Sequence, residues 1–306
     1  MLDSNPLVSI FIVTYNSEQY IIEALESVYA QTYHNIELIV SDDKSQDSTV
    51  QLVREWLRGH SDRFIRTKLI EAEVNTGTSG NYNRAVEACS GVWLKMLDGD
   101  DVLLPDCIQN NVSFVCEHPS SKVVFSKYQE LYCEKKRIIK ENSSLNLLAK
   151  FGNLSAMEQF KKLLYGNCLL SSSCFIESNL LKKNKYDENY SLLEDYPMWL
   201  RLTEQGVKFS VMDTYTVLYR KVESVSSSRG VLFPAVYTDQ CRRFFYNYQL
   251  DRIRKYNLKE AYQRNRKYFL WYDMCEIFLR NKRNLITLPL YMMFKYIIFL
   301  LFVFKF

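Results

Sequence analysis

Histidine is scarce in this chain: His34, His60 and His118 stand far apart along 306 residues. That scatter argues against a His-rich zinc or iron site and against a Ser-His-Asp hydrolase. The eight cysteines form no Cys-x-x-Cys pair, and no basic region leading into a long apolar stretch opens the sequence. The thiols therefore read as reduced, mostly core residues of a cytosolic protein. Glycine is thin as well, with nine residues and none beyond Gly230. No Gly-rich turn follows the first apolar run, so a dinucleotide fold or a P-loop would lack its phosphate cradle. With these chemistries set aside, catalysis falls to carboxylates.

What is present describes a folding chain. Apolar residues make up 47% and charged residues 24%, ordinary globular values that exclude collagen-like and wholly disordered chains. The net charge of +4 hides an asymmetry. Residues 242–283 carry twelve Lys and Arg against four Asp and Glu, whereas residues 1–241 carry a net −6. An acidic body with a basic tail points to a polyanionic partner for the tail alone, nucleic acid or an anionic membrane surface.

The first hundred residues alternate β-branched apolar runs with helical patterns, the signature of βα units and a parallel sheet. Leu7–Thr14, Ile36–Val40, Phe64–Ala72 and Val92–Leu97 read as strands. Helices are expected over Ser17–Ala30, from Ser45 or Asp47 to Leu57, over Thr78–Cys89 and over Pro105–Cys116. Val123–Glu130 and Tyr132–Ile139 resemble antiparallel strands, and the polar stretch 142–153 reads as a mobile loop. Ser155–Leu164 looks helical, Ser171–Ile176 extended, Leu193–Gln205 helical, and Val207–Met212 and Thr216–Tyr219 are two further short strands. After Pro234 the pattern stays helical, which suggests a first domain over 1–230 and a helical extension over 231–306.

That extension ends in Leu285–Phe306, 22 residues with two charges, Lys295 and Lys305. Its length approaches the ~20 apolar residues of a membrane helix. Against a span stand Pro289 and the central Lys295, which costs on the order of 3 kcal/mol on insertion scales. A tilted span, an interfacial helix and a core helix remain alternatives, with membrane association favoured by the basic, aromatic stretch before it.

Ligands of an open parallel sheet bind beyond the carboxyl ends of its strands. Three strands here end in polar or acidic clusters: Thr14-Tyr15-Asn16, Asp42-Asp43 and Asp98-Gly99-Asp100-Asp101. Hard carboxylate oxygens suit Mg²⁺ or Mn²⁺, and such a cation can bridge a diphosphate to an acidic site. An isolated Asp-x-Asp is a weak signal, since an acidic loop is more often a solvated turn. The order of the pieces carries more.

VSIFIVTYNSEQYIIEALESVYAQTYHNIELIVSDDKSQDST followed by NTGTSGNYNRAVEACSGVWLKMLDGDD strongly resembles the family 2 glycosyltransferases of bacterial surface-polysaccharide type, closely over residues 7–115 and loosely over 165–225. The resemblance implies an α/β fold of GT-A type, a Rossmann-like mixed sheet flanked by helices, here with a C-terminal helical, membrane-associating extension. It implies an inverting, metal-dependent hexosyltransferase that uses a nucleotide sugar, with UDP the family-level expectation and Mn²⁺ or Mg²⁺ as cofactor.

Position by position, the resemblance assigns Thr14, Tyr15, Asn16, Asp42 and Asp43 to the nucleotide base and ribose, with Tyr15 able to stack on uracil. The family's Asp-x-Asp falls on Asp98 and Asp100: both belong to the metal site, the first also facing the ribose. Asp101 holds the loop. Asp195, in Leu193-Glu194-Asp195-Tyr196, matches the catalytic base, and Arg220 in Tyr219-Arg220-Lys221, followed by Ser224-Val225-Ser226, matches a basic loop near the donor phosphates. Taken alone, Glu194-Asp195 would read as ordinary acids at a helix N-terminus.

One departure is plain. The family commonly has Arg where this chain has Tyr82, and Arg84 either compensates or faces solvent. Lys95, inside the apolar strand VWLKML, either pairs with a carboxylate beside the site or lies at a sheet face that water reaches. The implied partners are a nucleotide sugar, a lipid-linked or surface glycan acceptor, and an anionic membrane surface reached through the tail, on the cytoplasmic face of the cell membrane. Nucleic acid is not expected. The competing readings are a nucleotidyltransferase, which would need a Gly-rich phosphate loop, and a membrane- or nucleic-acid-binding module without transferase activity, which leaves the acidic strand ends unexplained.

Overall fold

The computed structural model describes residues 5–132, 138–141, 145–221, 231–232, 234–282, 286–287 and 289–293. The chain divides into two compact units, one built from residues 1–160 and 168–221, the other from 161–167 and 222–306.

The first unit is a nine-stranded mixed sheet flanked by helices. Its leading half is β1 (Val8–Thr14), α1 (Ile21–Tyr29), β2 (Ile36–Asp42), α2 (Thr49–His60), β3 (Arg66–Glu71), α3 (Gly77–Ala88) and β4 (Trp93–Asp98). These strands lie in the order β3-β2-β1-β4, all parallel. Every residue of β1 and β2 is buried, as expected where helices cover both faces and apolar runs are continuous rather than alternating. Ile21, Leu25 and Val28 form the apolar stripe of α1 and join Ile10, Ile12, Leu38 and Val40 in the main core.

The second half of the unit turns antiparallel. It contains β5 (Val102–Leu103), α4 (Cys107–Glu117), β6 (Val123–Tyr132), β7 (Ile138–Glu141), α5 (Leu145–Gly152), α6 (Ala156–Leu163), β8 (Cys174–Glu177), α7 (Ser178–Lys183), α8 (Asp195–Glu204) and β9 (Ser210–Arg220). Strand β8 inserts antiparallel between β4 and β6, and β9 runs parallel to β6 with β5 on its outer edge.

Two expectations from sequence are corrected here. The stretch 142–153 is not a loop where it is described: α5 occupies Leu145–Gly152, with Leu148 and Phe151 buried. The two short strands expected at 207–219 are one strand, β9, whose register against β6 shifts at Ser126–Tyr128. A bulge absorbs the extra residues, so the polar Asp213-Thr214 does not end the strand.

The second unit holds α9 (Ala235–Phe244), a π-helical turn over Phe245–Gln249, α10 (Leu250–Lys255) and the 21-residue α11 (Lys259–Leu279). Cys275 and Leu279 pack with Leu232, Tyr268, Trp271 and Tyr291. Among the described residues no helix is long and apolar enough to cross a membrane. Residues 294–306, most of the apolar C-terminal segment, and Ser224-Val225-Ser226 lie outside the described residues.

Candidate active site

The register of the parallel strands brings the predicted clusters to one edge. Thr14 is paired with Asp42 across β1 and β2, and Val13 with Asp98 across β1 and β4. The sheet thus sets Thr14, Asp42 and Asp98 side by side at its carboxyl end, the position where such sheets bind ligands.

The residues predicted to face the nucleotide are braced by one another. Asp42 accepts from the Ser45 backbone N–H at 2.8 Å and from the Ser45 hydroxyl. Asn16 takes a left-handed conformation (φ 51°), receives the Gln46 N–H on Oδ1 at 2.8 Å and donates its own N–H to Ser45 Oγ. Asn and Asp tolerate that region best among residues with a Cβ. Tyr15, between these anchored neighbours, is exposed. The Thr14 hydroxyl is buried without a hydrogen-bond partner among the described residues, and a Cβ on Gly99 would come within 3.0 Å of it. A side chain at 99 would crowd Thr14 and Ser17, so glycine lets the acidic loop close against them without displacement.

Asp43 is engaged differently from Asp42. Its carboxylate accepts from the N–H groups of Thr76 and Gly77 at the start of α3, from the Thr76 hydroxyl, and from Arg84 at 2.7 Å. Arg84 does not simply face solvent: it forms an ion pair with Asp43, a partner that neither expectation for it named.

Around the acidic strand end, Asp98 receives the Tyr82 hydroxyl on Oδ1 at 2.6 Å and faces Ser172 Oγ at 3.3 Å. Asp101 is wholly buried; its Oδ2 accepts from Ser172 Oγ at 2.5 Å and its Oδ1 from the Arg220 N–H at 2.9 Å. It does hold the loop. The Arg220 guanidinium, also buried, donates through Nε to the Asp100 carbonyl at 2.6 Å, pairs with Glu23 and lies over the Tyr20 ring. Arg220 thus holds the Asp100 carbonyl through its guanidinium and the Asp101 carboxylate through its backbone N–H.

Charge is crowded here. Burial raises the carboxyl pKa of Asp98, and burial with the Asp98 charge pushes Asp100 up to about 6. Glu194, just before α8, is also raised well above its usual range by burial and by the charges of Asp195 and Asp98. The α8 start therefore lies within electrostatic reach of the strand end, and the predicted base Asp195 sits half-buried beside it. Five carboxylates share this region, and burial leaves their repulsion poorly screened.

Lys95 corrects both of its sequence readings. It is completely buried, away from any solvated face, and its Nζ donates to the backbone carbonyls of Ser172 at 2.6 Å and Cys174 at 3.3 Å rather than to a carboxylate among the described residues. Burial lowers its pKa. Sequence reasoning also passed over Ser172, the hydroxyl between Asp98 and Asp101; the Ser171-Ser172-Ser173 run ahead of β8 was its available signal.

Among the described residues no group of three or more His, Cys, Asp or Glu could by itself enclose a metal ion. Asp98 and Asp100 nonetheless fit a divalent cation: they are hard oxygen donors close together at the strand end, and burial disfavours their charged forms unless a cation is near. A cation held by one or two carboxylates takes its other ligands from substrate phosphates and water.

Comparison with known proteins bears on the family and the fold. The profile of Glycosyl transferase family 2 matches residues 9–176, and that of Glycosyl transferase family group 2 matches residues 93–306. Over 212 residues the chain is 29% identical to the UDP-Glc:alpha-D-GlcNAc-diphosphoundecaprenol beta-1,3-glucosyltransferase WfaP of Escherichia coli, covering 68% of this chain and 76% of that protein. TarS of S. aureus, solved with UDP-GlcNAc, superposes with a TM-score of 0.58 at 23% identity over 77% of this chain and 64% of its own. The mannosyltransferase PcManGT of Pyrobaculum calidifontis, solved with GDP-Man and Mn²⁺, superposes at 0.52 with 18% identity over 72% of this chain and 58% of its own.

Proposed function

The chain belongs to glycosyl transferase family 2 and has the GT-A fold, and on that premise we propose that it is an inverting, metal-dependent transferase moving a sugar from a nucleotide sugar to a lipid-linked or surface glycan acceptor. The observation that carries this reading is the acidic strand end Asp98–Asp101, set beside Thr14 and Asp42 by strand register and faced by Glu194-Asp195. Thr14, Tyr15, Asn16, Asp42 and Asp43 form the nucleoside side of the donor site. Exposed Tyr15 offers a ring to stack on the base, whereas Asn16 and Asp43 act by holding the loops in place.

Asp98 and Asp100 would hold Mn²⁺ or Mg²⁺, which supplies positive charge against the leaving diphosphate. Asp195 takes the proton from the acceptor hydroxyl. The new bond forms between the acceptor oxygen and the anomeric carbon as the bond to the diphosphate oxygen breaks, so a single in-line displacement inverts the configuration. Arg220 keeps the Asp100 carbonyl and Asp101 in place during this exchange.

UDP is the expected nucleotide, supported by the UDP-sugar named for WfaP and the UDP-GlcNAc complex of TarS. The diphosphoundecaprenol acceptor in the WfaP name supports a lipid-linked acceptor for this chain. Residues 231–306 form the membrane-approaching part, at the cytoplasmic face: their basic excess is joined by exposed Ile277, Phe278, Ile286 and Met292.

Isothermal titration with UDP, with and without Mn²⁺, tests the donor site. Binding that requires metal and is lost in Asp100→Ala is the expected result. If UDP fails and GDP binds, the nucleotide assignment changes; if no nucleotide binds in any metal, the donor-site assignment is wrong.

A further inference from the structure

Tyr82 is wholly buried at the centre of α3, where the resemblance places an arginine. Its ring is fixed edge-on to Phe11 at 5.7 Å and against Tyr186 at 4.8 Å. Its hydroxyl reaches Asp98 Oδ1 at 2.6 Å and lies 3.2 Å from Ser171 Oγ. The Ser172 hydroxyl has one proton and two carboxylates within reach, 2.5 Å from Asp101 and 3.3 Å from Asp98. The shorter bond claims it, so the close side-chain bond to Asp98 is the one from Tyr82. Arg84, the nearest cation on the same helix, is committed to Asp43.

We propose that Tyr82 is a positioning residue of the donor site: its neutral hydroxyl, in place of a guanidinium, fixes the Asp98 carboxylate in the orientation that a divalent cation and a nucleoside diphosphate need. This rests on the donor-site reading above. A carboxylate free to rotate pays for its own ordering when a ligand binds, and a preorganised one does not. Tyr82→Phe keeps the packed ring and removes only the hydroxyl. Tyr186→Phe is the matched control: its hydroxyl faces the Met96 sulfur at 3.6 Å in the same core and has no bond to Asp98.

The readout is uptake of Mn²⁺ in the presence of saturating UDP, followed by loss of the free-ion electron paramagnetic resonance signal, with no turnover involved. Tyr82→Phe is expected to weaken Mn²⁺ uptake about ten-fold, the scale of one lost hydrogen bond to a charged group. Tyr186→Phe is expected to stay within about two-fold of the parent, the scatter of a neutral change. Parent-like uptake in Tyr82→Phe overturns the proposal, and so does an equal loss in both variants, which would make the effect one of packing; in either case the donor-site reading stands. If the parent protein itself takes up no Mn²⁺ with UDP, the donor-site reading and this inference fall together.

Discussion

Glu37 lies on β2 at the opposite end of the sheet from the acid cluster, yet it fixes the entry to the strand that carries Asp98. Its carboxylate is 1% exposed and accepts from the Ser9 hydroxyl, the Ser90 hydroxyl at 2.6 Å, the Ser90 N–H, the Gly91 N–H at 3.0 Å and Arg66 Nε at 3.0 Å. Burial alone would raise its pKa; the bonds from Ser9, Ser90 and Gly91 outweigh it and hold the group below the usual Glu value. Glu37→Gln keeps the shape but turns one acceptor into an amide N–H₂ that faces donors. At least one buried donor is then left unpaired, at about 1–3 kcal/mol, and charge assistance to the others is lost. Arg66 is 45% exposed and is rehydrated, so the full cost of breaking a buried ion pair does not apply. The expected loss is about 3 kcal/mol. Urea unfolding followed by tryptophan fluorescence reads it, because Trp56, Trp93 and Trp199 all lie in the first unit. The pH dependence gives a second check. A depressed carboxyl pKa contributes stability that is present above the unfolded value, near 4.5, and disappears as pH falls through the folded value. The parent should therefore lose stability more steeply than Glu37→Gln below about pH 4.5. A loss under about 1 kcal/mol at neutral pH, or parallel acid profiles, would refute the account.

Three other predictions concern the site and the tail. Asp100, with its pKa raised to about 6, binds a proton more tightly folded than unfolded, so its ionisation costs stability above that pH. Asp100→Asn should accordingly raise folding stability at pH 7.5 by about 1–2 kcal/mol, allowing for partial solvation, while abolishing metal-dependent UDP binding; an unchanged or lower melting temperature contradicts the charge argument. Asp195→Asn should cut turnover about 10²–10⁴-fold with UDP affinity unchanged, and a matching loss of UDP affinity would move Asp195 from the base to the donor site. The purified chain should sediment with phosphatidylglycerol vesicles but not with phosphatidylcholine vesicles, and release as salt rises; retention on oligonucleotides instead would give the basic tail to nucleic acid.

How much of this was legible in the sequence depended on how local each cause is. Strands β1, β2 and β4 announce themselves because burial on both faces demands apolar runs, interrupted here within the strands only by Ser9, Glu37 and Lys95 before their polar ends. Once they are parallel and adjacent, Thr14, Asp42 and Asp98 must share an edge, so the clustering of the residues proposed for the nucleotide and the metal followed from strand ends alone. Helix α5 did not follow, because the polar Asn142-Ser143-Ser144 and Gly152-Asn153 flank its short apolar run and its packing is with distant residues: Phe151 is buried and Gly152 sits where a Cβ would meet Val211 at 2.8 Å. Strand β9 was cut in two on paper because a bulge depends on the partner strand, which a sequence does not display.

The polar core under the site was the least legible part, for the same reason. Lys95 looked anomalous because a strand cannot supply acceptors for its own inward lysine; the carbonyls that satisfy it belong to residues 77 and 79 positions later. By fixing the Ser172 carbonyl, Lys95 also fixes the residue whose hydroxyl serves Asp101, so the anomaly in β4 and the acid cluster at its end are one structure. The Tyr82 departure resolves in the same way. Asp43 draws Arg84 toward the start of α3, and Asp98 is left to a neutral donor one helical step away. The sequence displays both residues two positions apart, but only the fold assigns each one its carboxylate.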